Sequence, residues 1–241
     1  DALGQTRSVF LGPEDLLRHV HVLGQTGTGK STLLAAIARD ASVNGYGLLV
    51  LDPHGSLVDR IAAELPDSAV ERTWLLQPGD ATHPIRLNPL AVSGEPQVAA
   101  AVQDLTEIFY ALFDPKHIGI VGPRFEQLLR LALRSLHELR GSRASLGDVP
   151  RILADRRNEL AIGQLMDDKD LAEFWVNIQG QLGSDHRAEV VAWFTSKFDA
   201  FMGTPQMRSL LETGADSFDP AAAMDDGRIV LLDLDRSRLG L

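Results

Sequence analysis

The residues with the clearest chemistry are Gly24-Gln25-Thr26-Gly27-Thr28-Gly29-Lys30-Ser31, a glycine, four residues, then Gly-Lys-Ser. Glycines at these places allow backbone conformations closed to other residues, so consecutive N–H groups can turn inward and surround an anion. Lys30 sets a point charge where β and γ phosphates would lie, and the Ser31 hydroxyl suits a magnesium ion. A helix beginning near Lys30 adds its partial positive N-terminus. Gly27, Thr28, Gly29, Lys30, Ser31 and Thr32 are therefore the candidate nucleotide-binding residues, with ATP and Mg2+ as the ligands.

Cleavage of a triphosphate also needs a carboxylate near the metal and a group that orients water. Two apolar runs end in aspartate: Gly47-Leu48-Leu49-Val50-Leu51-Asp52 and Arg228-Ile229-Val230-Leu231-Leu232-Asp233. Neither continues with glutamate. Asp52 leads into Pro53-His54-Gly55, a sharp turn that can aim Asp52 or His54 at the γ phosphate; the plainer reading is a strand-end turn and helix cap. Lys30 and Asp52 are the candidate catalytic residues, and Ser31 and Asp52 the candidate magnesium ligands. His19 and His21 share a strand face but lack the companions of a four-ligand zinc site, and read as packing.

These groups require elements to hold them. Strand patterns fall at residues 19–23, 47–51, 73–76 and 228–234, with helical patterns after the glycine-rich loop and over 56–64. Alternating strand and helix predict a parallel sheet with helices on its faces. Beyond the proline-rich stretch His83 to Leu90 the period changes, and helical spacing dominates from 97 to 211. Phe125, Leu128, Leu129, Ala132, Leu133, Leu136 and Leu139 form one stripe, and Leu105, Ile108, Phe109 and Leu112 another. Trp175, Trp193, Phe194, Phe198 and Phe201 read as core of this region. The expected architecture is an α/β nucleotide-binding core over 1–95 and 226–241, interrupted by an all-helical insertion over 96–225.

The 241 residues hold 44% hydrophobic side chains, enough for a substantial core. No apolar run reaches the roughly 18 residues of a membrane span. Absence of cysteine rules out disulfides and thiolate metal sites, and fits a reducing cytoplasm. A net charge of -10 argues against broad attraction to nucleic acid. Between 122 and 157 the sign reverses, with Arg124, Arg130, Arg134, Arg140, Arg143, Arg151, Arg156 and Arg157 facing Glu126, Glu138, Asp148 and Asp155. Arg130, Arg134 and His137 share a helical face, read either as a solvated face with Glu126 paired to Arg130 or as a contact for DNA phosphates or a neighbouring subunit.

Several of these runs together resemble a known group. Arg18-His19 before the Gly-Gln-Thr-Gly-Thr-Gly-Lys-Ser-Thr-Leu-Leu run, Leu51-Asp52-Pro53-His54-Gly55 and Leu87-Asn88-Pro89-Leu90 are similar to the HerA and FtsK superfamily of P-loop motor ATPases. The nearest branch is that of conjugative coupling proteins and DNA-transfer ATPases of type IV secretion. Gly122-Pro123-Arg124-Phe125-Glu126, Lys197-Phe198-Asp199-Ala200-Phe201 and the run Gly227 to Leu234 resemble the same branch. The resemblance implies a RecA-like core with an all-α insertion, hexameric rings, and ATP-driven movement of DNA through a central channel. It carries over Gly27 to Thr32 as the nucleotide loop and Asp52 as the box after the second core strand. The family's magnesium carboxylate, an Asp-Glu pair on a later strand, has no counterpart here, and Asp233 matches the strand before it. An incomplete core is therefore expected, one that binds ATP and leaves hydrolysis to residues beyond it.

The leading expectation is the ATP-binding part of a motor ATPase that moves DNA, or protein, at a secretion system. It would work in the cytoplasm, at the inner face of the membrane through segments outside this sequence. The rival enzyme class is a small-molecule kinase, with Arg156 and Arg157 as lid arginines. A third class is a noncatalytic module that uses ATP to set its shape or assemble with partners.

Overall fold

The structure, a computed structural model, describes residues 10, 12–16, 18–154, 159–182, 184–211 and 218–239. A short helix α1 (Pro13–Leu16) precedes the glycine-rich loop, and α2 (Lys30–Val43) follows it. The chain then alternates through β1 (Leu48–Asp52), α3 (Ser56–Glu64), α4 (Asp67–Val70) and β2 (Thr73–Leu76). Next, among the described residues, come α5 (Glu95–Phe113), α6 (Pro123–Arg140), a 3-10 turn (Gly141–Arg143), α7 (Asp148–Ala154), α8 (Glu159–Leu165), α9 (Lys169–Leu182), α10 (Ser184–Phe201) and α11 (Pro205–Leu211). The described chain closes with α12 (Pro220–Asp225), β3 (Ile229–Asp233) and α13 (Arg236–Leu239).

The three strands form one sheet in the order β1-β3-β2, all parallel. Parallel neighbours cannot be joined by a hairpin, so each crossover runs through helices. The last strand in sequence is central, and its near-continuous apolar run suits burial on both faces: Ile229, Val230 and Leu231 are buried. On one face Ile229 and Leu231 pack with Ala35 and Ala38 of α2, Val58 and Ile61 of α3, and Ala69. Each large side chain so buried contributes about 1.5–3 kcal/mol. The small residues of α2 let that helix lie close to the sheet. On the opposite face Leu49 and Leu51 are exposed.

The strand expected over 19–23 does not form. These residues lie in no strand, and Val20 and Leu23 are 51% and 80% exposed. A strand persists only where a neighbour completes its backbone ladder, and no described strand pairs with 19–23. The sheet therefore has three strands among the described residues, not four.

The helices α5 to α11 enclose a second core. Phe109 packs on Phe125 and Phe198 with ring centroids 5.1 and 4.8 Å apart, and Phe194 lies 4.9 Å from Phe125. Trp175 is buried and its indole N–H donates to Ser135 Oγ at 2.9 Å, so its polar end is satisfied. Trp193 and Phe201 pack against this core half-buried. The α6 stripe faces inward as its period requires, whereas Ile108 and Leu112 of α5 are exposed, so that stripe is narrower than its spacing suggests.

The Leu87-Asn88-Pro89-Leu90 run ties the chain to this helical part. The buried Asn88 amide donates to Ala144 O at 2.7 Å and Ser142 O at 3.3 Å, while its oxygen accepts from Leu90 N–H at 3.0 Å. Leu87 N–H donates to Leu210 O at 2.9 Å. Among the described residues no helix is long and apolar enough to cross a membrane.

Candidate nucleotide site

The loop takes its shape from two glycines and a threonine. Gly27 and Gly29 sit at φ 84° and 92°, a region that costs other residues about 1–2 kcal/mol. Thr28 closes the turn, its N–H and hydroxyl both donating to Gln25 O at 3.3 and 2.8 Å. Gly24 is held to a bare Cα, since a Cβ there would meet Thr28 Oγ1 at 2.5 Å.

Helix α2 starts from Gly29 with no side-chain cap. Among the described residues, the backbone N–H groups of Gly27, Gly29, Lys30, Ser31 and Thr32 have no hydrogen-bond partner, and this stretch is open to solvent. Orphan donors at a helix N-terminus, reinforced by the helix dipole, make an anion cradle. Lys30 folds back over the loop, its Nζ donating to Gly24 O and Gln25 O at 2.7 Å each. The ammonium is thereby parked on the rim of the cradle, with carbonyls in the place an anion would take. Ser31 is exposed and its hydroxyl has no protein partner among the described residues.

Asp52 ends β1 beneath the turn Pro53-His54-Gly55 and is buried. Its Oδ1 accepts from His54 N–H at 3.0 Å, and its Oδ2 from Leu57 and Val58 N–H at 2.7 and 3.1 Å. Burial alone would push this carboxyl up, but the backbone N–H groups of His54, Val58, Leu57 and Gly55 outweigh it and hold the group below its ordinary value. Asp52 thus acts as the cap of α3. His54 is exposed.

Asp233 is the Cα partner of Asp52 across the parallel pair. Its carboxylate accepts from Gln77 Nε2 at 3.1 Å and from Asp235 N–H at 3.0 Å, and pairs with Arg238. Gly55, at φ 77°, passes so close that a Cβ would lie 3.0 Å from Asp233 Oδ1. The two strand-end aspartates and the Asp-Pro-His-Gly turn therefore form one unit at the carboxyl edge of the sheet, where open α/β sheets bind ligands.

Two residues lacked any sequence signal. Arg60 of α3 donates from Nη1 to Thr32 Oγ1 at 2.8 Å, joining the first turn of α2 to α3. Gln77 follows β2 and reaches Asp233. Neither belongs to a motif; only the packing of distant segments brings them here.

The basic stretch of α6 is arranged otherwise than its spacing implies. Glu126 accepts from Tyr110 Oη at 2.5 Å rather than pairing with Arg130, and Arg134 binds Asp168 at 2.6 Å. His137 is half-buried with its Nδ1 unpartnered. Arg156, Arg157 and Asp155 lie outside the described residues. His19 and His21 are exposed, and among the described residues no cluster of three or more metal-ligating side chains occurs.

Residues 4–118 match the family model of the helicase HerA central domain. The matched stretch contains the glycine-rich loop, α2, β1, the Asp52 turn, α3 and β2. Comparisons with curated proteins and with solved structures found no significant match. This stretch is similar to the HerA/FtsK superfamily of P-loop ATPases, a class that uses ATP and magnesium.

Proposed function

We propose that this chain is the ATP-binding part of a DNA-translocating motor ATPase, of the kind that serves conjugative transfer or type IV secretion. The observation that carries the reading is the cradle of orphan N–H groups from Gly27 to Thr32, capped by Lys30, within a stretch matching the HerA central domain. The backbone N–H groups would hold the phosphates, Lys30 would leave the carbonyls of Gly24 and Gln25 to supply positive charge to them, and Ser31 would serve as a magnesium ligand. Asp52 contributes from below by shaping the Asp-Pro-His-Gly turn and stands as the candidate contact to the metal or its water. The bound Mg2+ would neutralise phosphate charge.

We read the core as 1–95 and 226–241 and the helical insertion as 96–225; the two separate hydrophobic clusters support this division, except that Leu90 packs with the helical one. DNA, or protein, is the transported substrate, ring assembly the working form and the cytoplasm the working compartment. In calorimetry with magnesium present, wild type should bind ATP and Lys30→Ala should lose most of that affinity; equal affinity in both would sink the assignment. Binding of single-stranded or duplex DNA by the isolated chain should be weak and fall steeply with salt.

A further inference from the structure

Arg60 projects from α3, a helix fixed at both ends of its first turn. Asp52 caps the N–H groups of Leu57 and Val58, and Val58 and Ile61 are buried among Ala35 and Ala38 of α2. These contacts set the rotation of α3 and put Arg60 beside the start of α2. Glu64, one turn on, holds Arg60 Nε at 2.9 Å and so directs the far end of the guanidinium to Thr32. Arg60 Nη1 then donates to Thr32 Oγ1 at 2.8 Å.

A threonine hydroxyl has one proton to donate and two lone pairs to accept with. Where the oxygen accepts from a guanidinium, its own proton is left to point elsewhere, and the charge on the donor strengthens that outgoing bond. Thr32 lies in the first turn of α2, and its own N–H is among the orphans of the cradle. An anion gathered by those N–H groups would offer the hydroxyl proton an acceptor. Apart from Lys30, Arg60 is the cation that the described structure ties directly to the loop or the first turn of α2.

We propose that Arg60 is a positioning residue of the nucleotide site, orienting the Thr32 hydroxyl as a donor to bound phosphate and coupling the occupied loop to α3 and the Asp52 turn. This rests on the nucleotide-binding reading above.

The test is a double-mutant cycle read by calorimetry with Mg-ATP and Mg-ADP, on chains shown folded by thermal melts. Arg60→Ala and Thr32→Val should each weaken binding about tenfold, the scale of one charge-assisted hydrogen bond. Because Arg60 acts through the hydroxyl, the double variant should bind no worse than Thr32→Val alone. In a Thr32→Ser background, which keeps the hydroxyl, Arg60→Ala should again cost its full factor, and Arg60→Lys should fall between. Unchanged affinity in Arg60→Ala, or losses that multiply in the double variant, would overturn the proposal. Lys30→Ala separates the two levels. If wild type binds and Lys30→Ala does not, a silent Arg60→Ala removes the positioning role alone; if Lys30→Ala binds as wild type does, both readings fall.

Discussion

Asp52 and Asp233 are Cα partners at the carboxyl ends of neighbouring strands, and both carboxylates are occupied by the fold. Asp52 accepts three backbone N–H bonds from the turn and helix that follow it, while Asp233 is held by Gln77, Asp235 and Arg238. The same geometry that places acidic groups at the carboxyl edge of the sheet also makes them supports of the turn between them.

Asp52→Ala should therefore lower stability by about 1–3 kcal/mol, the cost of leaving capped, buried N–H groups without an acceptor. Denaturant unfolding measures it. If Asp52 also meets the metal, Asp52→Asn should weaken ATP binding more with magnesium than without; an equal effect in both would leave the cap as its whole role.

The pH dependence has a defined sign. The Asp52 carboxyl sits below its ordinary value of 3.8 in the folded chain. Its contribution is fully present above the unfolded value and is lost as pH falls through the lower folded value. The stability gap between wild type and Asp52→Ala should stay level from neutral pH down to about 4 and narrow below it. A gap unchanged at the lowest pH where the chain still folds would contradict the depressed value.

Gly55→Ala combines two penalties, a left-handed backbone and a Cβ 3.0 Å from Asp233 Oδ1. It should destabilise by at least about 1–2 kcal/mol and disturb the Asp-Pro-His-Gly turn. A melting temperature equal to that of wild type would show that the turn does not require glycine.

Gly24→Ala should reduce ATP affinity, because the new Cβ would press on Thr28 Oγ1 and open the turn to Gln25 O. Removing that oxygen relieves the clash, so Gly24→Ala with Thr28→Ala should recover part of the affinity. Failure of the second change to help would locate the defect elsewhere than in this contact.

Phe198→Ala should cost about 3–5 kcal/mol in the helical core, where the ring touches Phe109 and Phe194. At temperatures where the variant remains folded, ATP affinity should be close to that of wild type, because Phe198 belongs to a hydrophobic cluster separate from the one under the loop.

Much of this was legible in one dimension. The helix over 56–64 and the strand over 73–76 match the structure end to end, and the strands at β1 and β3 differ by a single residue at each end. Their signals are local: an apolar run bounded by turns, or an inward stripe at helical spacing. The segment 19–23 carries an equally good local pattern and forms no strand, because a ladder is a property of two chain segments rather than one. Spacing offers Arg130 as a partner for Glu126, but Tyr110, sixteen residues upstream, reaches it instead.

By itself the sequence determined the loop and its chemistry, since the allowed backbone of glycine and the charge of lysine are properties of the residues and their spacing. It also pointed to the parallel sheet, because alternating strands and helices supply the crossovers that parallel neighbours need. Only the tertiary structure decided the roles of the side chains around that loop. It made Asp52 a helix cap, joined Asp233 to Gln77 and Arg238, and brought Arg60 to Thr32 across 28 residues. Hydrogen bonds depend on distance in space, and a motif records distance only along the chain.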